Sequence, residues 1–264
     1  MSSALRMRPQ VKVFAGSKTV AATKTDLTAS YVDVNSAIDV HGMSNPTLFL
    51  EEIANVENAV VNVFLSPDVA QPTVSTVLHQ LVDAAGAEIE ITIVKNTTQC
   101  YGIQAAAHWM MIQGKGAVGT SADLRAFLSG NFGQDGRGLR LRIAKIVVNS
   151  VAQALTGSEV IIGSPINIRG LSDLTMFVQN TDGSVTGTIH PYVSWGASQP
   201  AGISVMYSQD VVAGTAKSYD TLASEYAAHP LLGVSGDWLA LAGSGNGADL
   251  IVSVMGNVAG FDAR

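Results

Sequence analysis

The sequence predicts a mainly β protein built from two tandem antiparallel β-sandwich or jelly-roll domains, the first with a helical insertion. Three observations predict it. The segment Ile38–Ser66, IDVHGMSNPTLFLEEIANVENAVVNVFLS, recurs without a gap as Ile166–Ser194, INIRGLSDLTMFVQNTDGSVTGTIHPYVS, 128 positions later. An offset of about half the chain length points to two copies of one unit. Apolar residues alternate with period two in both copies, the mark of a half-buried strand. Finally, 26 Gly and 8 Pro break the chain into short runs, as an all-β architecture with many turns requires.

The 264 residues accommodate two domains, and 47% are hydrophobic, enough for a sizeable core. Only 14% are charged, against about 25% in ordinary globular chains, which excludes a disordered chain or a coiled coil. The net charge of −6 argues against nucleic acid as a partner, because phosphate contacts need clustered Lys and Arg. The acidic excess sits in residues 151–264; residues 1–150 are balanced. One cysteine, Cys100, excludes an internal disulfide and a thiolate metal site. No apolar run of about 20 residues predicts a membrane span. The opening MSSALRMRPQ lacks a leader's apolar stretch, so synthesis in a cytoplasm is expected.

From the N-terminus, 17–34 reads as short strands joined by Ser/Thr turns and leads into the first copy. Each copy then reads strand, Gly-x-Ser-Asx turn at Gly42 or Gly170, strand, polar turn, strand. In the third strand Val61, Val63 and Leu65 face one way and Asn62 and Phe64 the other; Ile189, Pro191 and Val193 alternate with His190 and Tyr192. Pro191 cannot donate to a ladder, which predicts an edge strand. Residues 99–129 read as helical, because Ile103, Ala107, Met110 and Met111 form an i, i+4 stripe and Ser121 suits an N-cap before Leu124, Phe127 and Leu128. A weaker helical hint covers 219–228. Strand-like runs at 139–148 and 250–258 close the halves, and the boundary falls near 149–156, giving domains 1–150 and 151–264.

No reactive constellation emerges, and the expectation is a non-enzyme with no cofactor or metal. GKGAVG spells G-x-G-x-x-G at Gly114, Gly116 and Gly119, but the dinucleotide version needs a preceding strand; a loop is the better reading. GVSGD at 233–237 falls short of a nucleophile elbow. The histidines His41, His79, His108, His190 and His229 share no ligand spacing. Glu51 and Glu52 stand where the second copy has Gln179 and Asn180, which reads as surface variation. Arg137, Arg140, Arg142 and Lys145 form the basic cluster, with Arg140 and Arg142 on one strand face. Candidate subunit contacts are therefore His108, Trp109, Met110 and Met111 on the insertion, and Arg140 and Arg142 on that strand.

The repeated phrase I-x-V/I-x-G-x-S-x-x-T-x-F, present as IDVHGMSNPTLF and INIRGLSDLTMF, resembles one found in β-sandwich modules of virion structural proteins of tailed phages and related viruses. That resemblance implies a jelly-roll-like virion component that assembles with itself and with other virion proteins, as capsid shell, decoration or tail. A competing expectation is a tandem carbohydrate-binding or adhesin module with Tyr192, Trp195, Trp238 and Asp237 in a shallow groove.

Overall fold

The computed structural model describes residues 23–258, apart from 42, 55, 76–77, 84, 104–105, 119–121, 133–143, 209, 213–214 and 232–233. Among the described residues the chain is strand and turn, with helix reduced to 3-10 turns such as Ile203–Val205. No described helix is long and apolar enough to cross a membrane.

The first half supplies β1 (Thr23–Asp26), β2 (Val32–Asp33), β3 (Ile38–Asp39), β4 (Met43–Glu52), β5 (Ala59–Ser66), β6 (His79–Leu81), β7 (Ile91–Ile93), β8 (Thr98–Gly102), β9 (Trp109–Gly116) and β10 (Asp123–Phe132). The second supplies β11 (Ala144–Ala154), β12 (Val160–Asn167), β13 (Leu171–Asn180), β14 (Gly187–Ser194), β15 (Tyr207–Ser208), β16 (Asp210–Val212), β17 (Thr215–Ala216), β18 (Tyr219–Thr221), β19 (Tyr226–Pro230), β20 (Trp238–Ser244) and β21 (Asp249–Val258).

The repeat survives as geometry. Moved along by 128 positions, β4 becomes β13 end to end, β5 becomes β14, β7 becomes β18 and β8 becomes β19. The strand order β1-β10-β4-β8 is matched by β11-β21-β13-β19, and β6-β5-β9-β2 by β15-β14-β20-β12. Register repeats as well: Phe49 opposite Cys100 recurs as Phe177 opposite Ala228, and Val61 opposite Ile91 as Ile189 opposite Tyr219. Small turns are copied down to the side chain, since the Thr28 hydroxyl donates to the Ser30 carbonyl at 2.7 Å and the Thr156 hydroxyl to the Ser158 carbonyl at 2.9 Å.

Each half closes on its own apolar interior. Leu48, Leu50, Val61, Val63, Leu65, Ile112, Leu124 and Leu128 cluster in the first. Met176, Val178, Ile189, Leu239, Leu241, Val252 and Val254 cluster in the second. Each such side chain contributes roughly 1.5–3 kcal/mol by leaving water. Glycine makes room twice at equivalent places. A Cβ on Gly114 would meet Leu27, Val34 and Leu124 at 3.1–3.3 Å, and one on Gly243 would meet Leu155 and Ile162 at 2.9 and 3.1 Å. Gly114 and Gly116 thus sit in strand β9, not in a loop, and packing accounts for Gly114.

The halves are joined through a shared sheet. β19 pairs in parallel with β6, Ala227 opposite Gln80 and Ala228 opposite Leu81, so one 10-stranded sheet runs through both. The outward face of the second half, Phe177, Ala228 and Met255, joins the first half's cluster. The Ala106 amide donates to Thr175 Oγ1 at 2.7 Å, and the Val82 amide to the Ala228 carbonyl at 3.3 Å. Two histidines lie in this seam. His79 sets its ring edge-on to Phe177 and Tyr226, at 5.3 and 5.6 Å. His229, 0% exposed, has Nδ1 3.1 Å from the Asp83 carbonyl, which assigns the proton to Nδ1. Burial pushes both imidazoles down to about 4.

Several expectations need correction. The described residues of 99–129 hold strands β8, β9 and most of β10 rather than a helical insertion, and 219–228 holds β18, a turn and the start of β19. Ile103, Ala107, Met110 and Met111 are all buried as expected, but β9 is covered on both faces: Met110 and Ile112 face the main core and Met111 packs with Ala37 and Leu78. Cover on both sides erases period two. In β10, Leu124 and Leu128 satisfy helix and strand spacing alike, and the burial of Ala126 between them decides for strand. Pro191 lies inside a sheet, opposite Leu241, not in an edge strand. Its other side falls between the stretches where β14 pairs with β18 and with β15, so no ladder bond needs its missing N–H.

Two predictions follow from this packing. Gly243→Ala loses roughly 1–3 kcal/mol by overpacking, read as a lower urea midpoint, whereas Gly157→Ala, where a Cβ meets nothing within 4 Å, changes it by less than about 0.5 kcal/mol. The seam histidines stay neutral when folded and protonate near 6.5 when unfolded, so their contribution is complete above pH 6.5 and is lost as pH falls toward 4. Urea midpoints should drop across that window, and His229→Gln should flatten the drop; an unchanged slope would refute the assignment.

Candidate contact surfaces

Met110 and Met111 are each 1% exposed, so neither is a subunit contact. Successive strand residues point to opposite faces, and both faces are filled. His108 and Trp109, at the start of β9, are half-buried. With Asp39, His41 and Val69 they line a cavity of about 340 Å³. The His41 and His108 rings meet edge to face at 4.7 Å, and Trp109 Nε1 donates to the Val69 carbonyl at 3.2 Å. Arg137, Arg140 and Arg142 lie outside the described residues, and Lys145 falls in β11.

The second half repeats this corner with different chemistry. Asn167, Arg169, Asp237 and Trp238 replace Asp39, His41, His108 and Trp109. Asn167 Oδ1 accepts from the Arg169 amide at 3.0 Å, as Asp39 Oδ1 does from the His41 amide. Arg169 Nε lies 2.9 Å from Asp237 Oδ1, and the Gly196 amide donates to Asp237 Oδ2 at 2.8 Å. The guanidinium and this amide hold the Asp237 carboxyl below its ordinary range. Asp237 is therefore engaged internally. Trp238 opens β20, is half-buried and donates from Nε1 to the Gly196 carbonyl at 3.0 Å.

The exposed aromatics lie elsewhere. Trp195 is 63% and Tyr207 67% exposed, with ring centroids 6.1 Å apart. Tyr192 instead is tied to Glu159, which also bonds His190 at 2.9 Å; burial, then that carboxylate, pushes the phenol up to about 12. In the first half, Phe49 and Phe127 stack at 4.7 Å with an interplanar angle of 1°. Both are half-buried and oppose the inward Leu48, Leu50, Leu124 and Leu128 on their strands. Sequence reasoning missed this pair and Tyr207. The available signal was the Phe49/Phe177 identity within the repeat.

Glu52 is not surface variation. It is 1% exposed, and its carboxylate accepts the amides of Ala54, Asn96 and Asp123 at 2.9, 3.0 and 3.3 Å. Its counterpart Asn180 accepts the Asp182 amide at 3.1 Å and donates to the carbonyls of Val185, Thr221 and Leu222. Glu51 differs, pairing with Arg125 at 3.1 Å in a partly exposed bridge. No group of three or more His, Cys, Asp or Glu is disposed to hold a metal among the described residues.

These features define a mainly β chain whose two halves copy one strand arrangement and carry different residues at the same corners. No protein-family model matches it, and no curated protein does. Among solved structures it is similar to the PBSX exported protein XepA, at 10% identity over 92% of this chain and 86% of that one, with a TM-score of 0.29. It is also similar to the STIV MCP, at 8% over 91% and 95% with a TM-score of 0.29, and to a chain from the atomic structure of Sulfolobus Turreted Icosahedral Virus, at 8% over 92% and 90% with a TM-score of 0.31. Scores this low leave the chain's own geometry to supply the functional reading.

Glu52→Ala strips three backbone amides of a buried charged acceptor and should cost roughly 1.5–3 kcal/mol, whereas Glu51→Ala should cost less than about 1 kcal/mol; equilibrium urea unfolding of the two variants checks the contrast.

Proposed function

We propose that this chain is a non-enzymatic structural component of a virion. On this reading it consists of two tandem jelly-roll domains, 1–150 and 151–264, and assembles with copies of itself and with other virion proteins on a capsid or tail. It needs no cofactor and engages neither nucleic acid nor membrane. The observation that carries the reading is the internal seam. One unit docks on its copy through a sheet edge and an apolar outer face. Unit-on-unit packing is thus already how this fold covers its surfaces, and the matching face of the first half is left partly open. Exposed Trp195, Val205 and Tyr207 add apolar surface suited to burial against neighbours. The polar residues singled out at the corners are engaged with one another, a pattern that suits holding loops in place.

The Trp195–Tyr207 pair also favours a second reading, a carbohydrate-binding or adhesin module, in which a sugar ring stacks on exposed aromatics. Sedimentation velocity across a concentration series, with glycan-array binding on the same sample, separates the two. Concentration-dependent homo-oligomers without glycan binding are expected. A persistent monomer that binds glycans, and loses binding on Trp195→Ala, would overturn the assembly reading.

A further inference from the structure

Among the described residues, the duplication leaves two strands at the ends of their sheets. Within the chain, β19 of the second half adds in parallel to β6 of the first. By the 128-residue offset, the first half's counterpart of β19 is β8, and the second half's counterpart of β6 is β15. Both counterparts end their sheets, β8 after β4 and β15 after β14. Burial follows the docking: Ala227, Ala228 and His229 of β19 are buried, while Gln99, Cys100 and Tyr101 at the same positions of β8 are half-buried or exposed. The flanking aromatics repeat this asymmetry. Phe177 is buried beneath the ring of His79. Its counterpart Phe49 is half-buried beside Phe127, and the counterpart of His79 is the exposed Tyr207.

We infer that a second copy of this chain docks at these edges. β15 of one copy adds in parallel to β8 of the next, placing Ser208 opposite Gln99 and Tyr207 edge-on to Phe49, as His79 stands on Phe177. The inference rests on the self-assembly reading and names its contact. The occupant is a second copy because the element that covers β19 inside the chain has its structural twin in β15. Neither edge, TQCYG nor YS, carries the Lys or Pro with which sheet edges are ordinarily blunted. The contact is heterologous, edge to unlike edge, and so propagates from copy to copy.

Sedimentation velocity on the full chain tests it with two lysine variants, Cys100→Lys on β8 and Tyr207→Lys on β15. Both positions are exposed in the single chain, so wild-type melting is expected of each. The wild type should assemble, with Cys100 protected from iodoacetamide in the assembly as Ala228 is covered in the chain. Each variant alone should sediment as a monomer. Mixed together they should stop at a dimer, because each retains the edge the other has lost. Assembly of both variants like wild type overturns the edge pairing and leaves self-assembly standing; a wild type that stays monomeric at every concentration overturns self-assembly and this contact together. Should a lysine variant fail to fold, Ser208→Cys treated with a short bismaleimide should yield an interchain link to native Cys100. An assembled sample that yields none overturns the pairing.

Discussion

The structure depends on covering one sheet twice. The sheet of β11, β21, β13 and β19 packs inward on the second half's own core and outward on the first half. That double burial separates the two copies by exposure. Leu174–Val178 of β13 is buried without interruption, whereas Thr47–Leu50 of β4 alternates between half-buried and buried. The same backbone, in the same register and with equally apolar residues, TLFL and TMFV, is buried on both faces where a neighbour covers it and on one where none does. The difference between the copies thus reports the environment of each, and the histidines caught in the seam stay uncharged for the same reason.

What the halves share and where they part follows from which interactions are backbone-driven. Corners need an oxygen acceptor at Asp39 or Asn167 to take the amide two residues on, and either side chain serves. The buried hub needs an acceptor at Glu52 or Asn180, but the amide can also donate, and Asn180 uses that freedom to tie three carbonyls of neighbouring loops. Beside these acceptors the two corners differ in chemistry. His41 and His108 meet as rings, while Arg169 and Asp237 meet as ions.

Much of this was legible in the sequence. The repeat gave β4, β5, β13 and β14, with the inward faces of β5 and β14, because alternation and turn chemistry are local signals. The stretch 99–129 was misread because two-sided burial in β9 and the coincidence of i, i+4 spacing in β10 mimic a helix. Glu52 was misread because sequence does not reveal that three amides converge on one carboxylate. Neither the seam nor the Phe49–Phe127 pair was legible, the first because it depends on how one half sits against the other, the second because it depends on the register of β4 against β10. Met110 and Met111 were drawn out as contacts by hydrophobicity alone, and hydrophobicity in a strand says only that some neighbour covers it.

A contact between unlike edges carries a geometric consequence. The rotation and translation that take the first half onto the second are fixed within each chain by β19, β6 and the buried Phe177, Ala228 and Met255. If β8 and β15 meet as their counterparts do, the step between chains equals the step within one. Copies then close into a ring when that rotation divides a full turn, and otherwise wind into an open helix. The size of the assembly is in that case set inside the monomer, by the packing of Phe177 and Ala228. A substitution there, far from any surface between copies, would alter the number of subunits while leaving the contact between them intact.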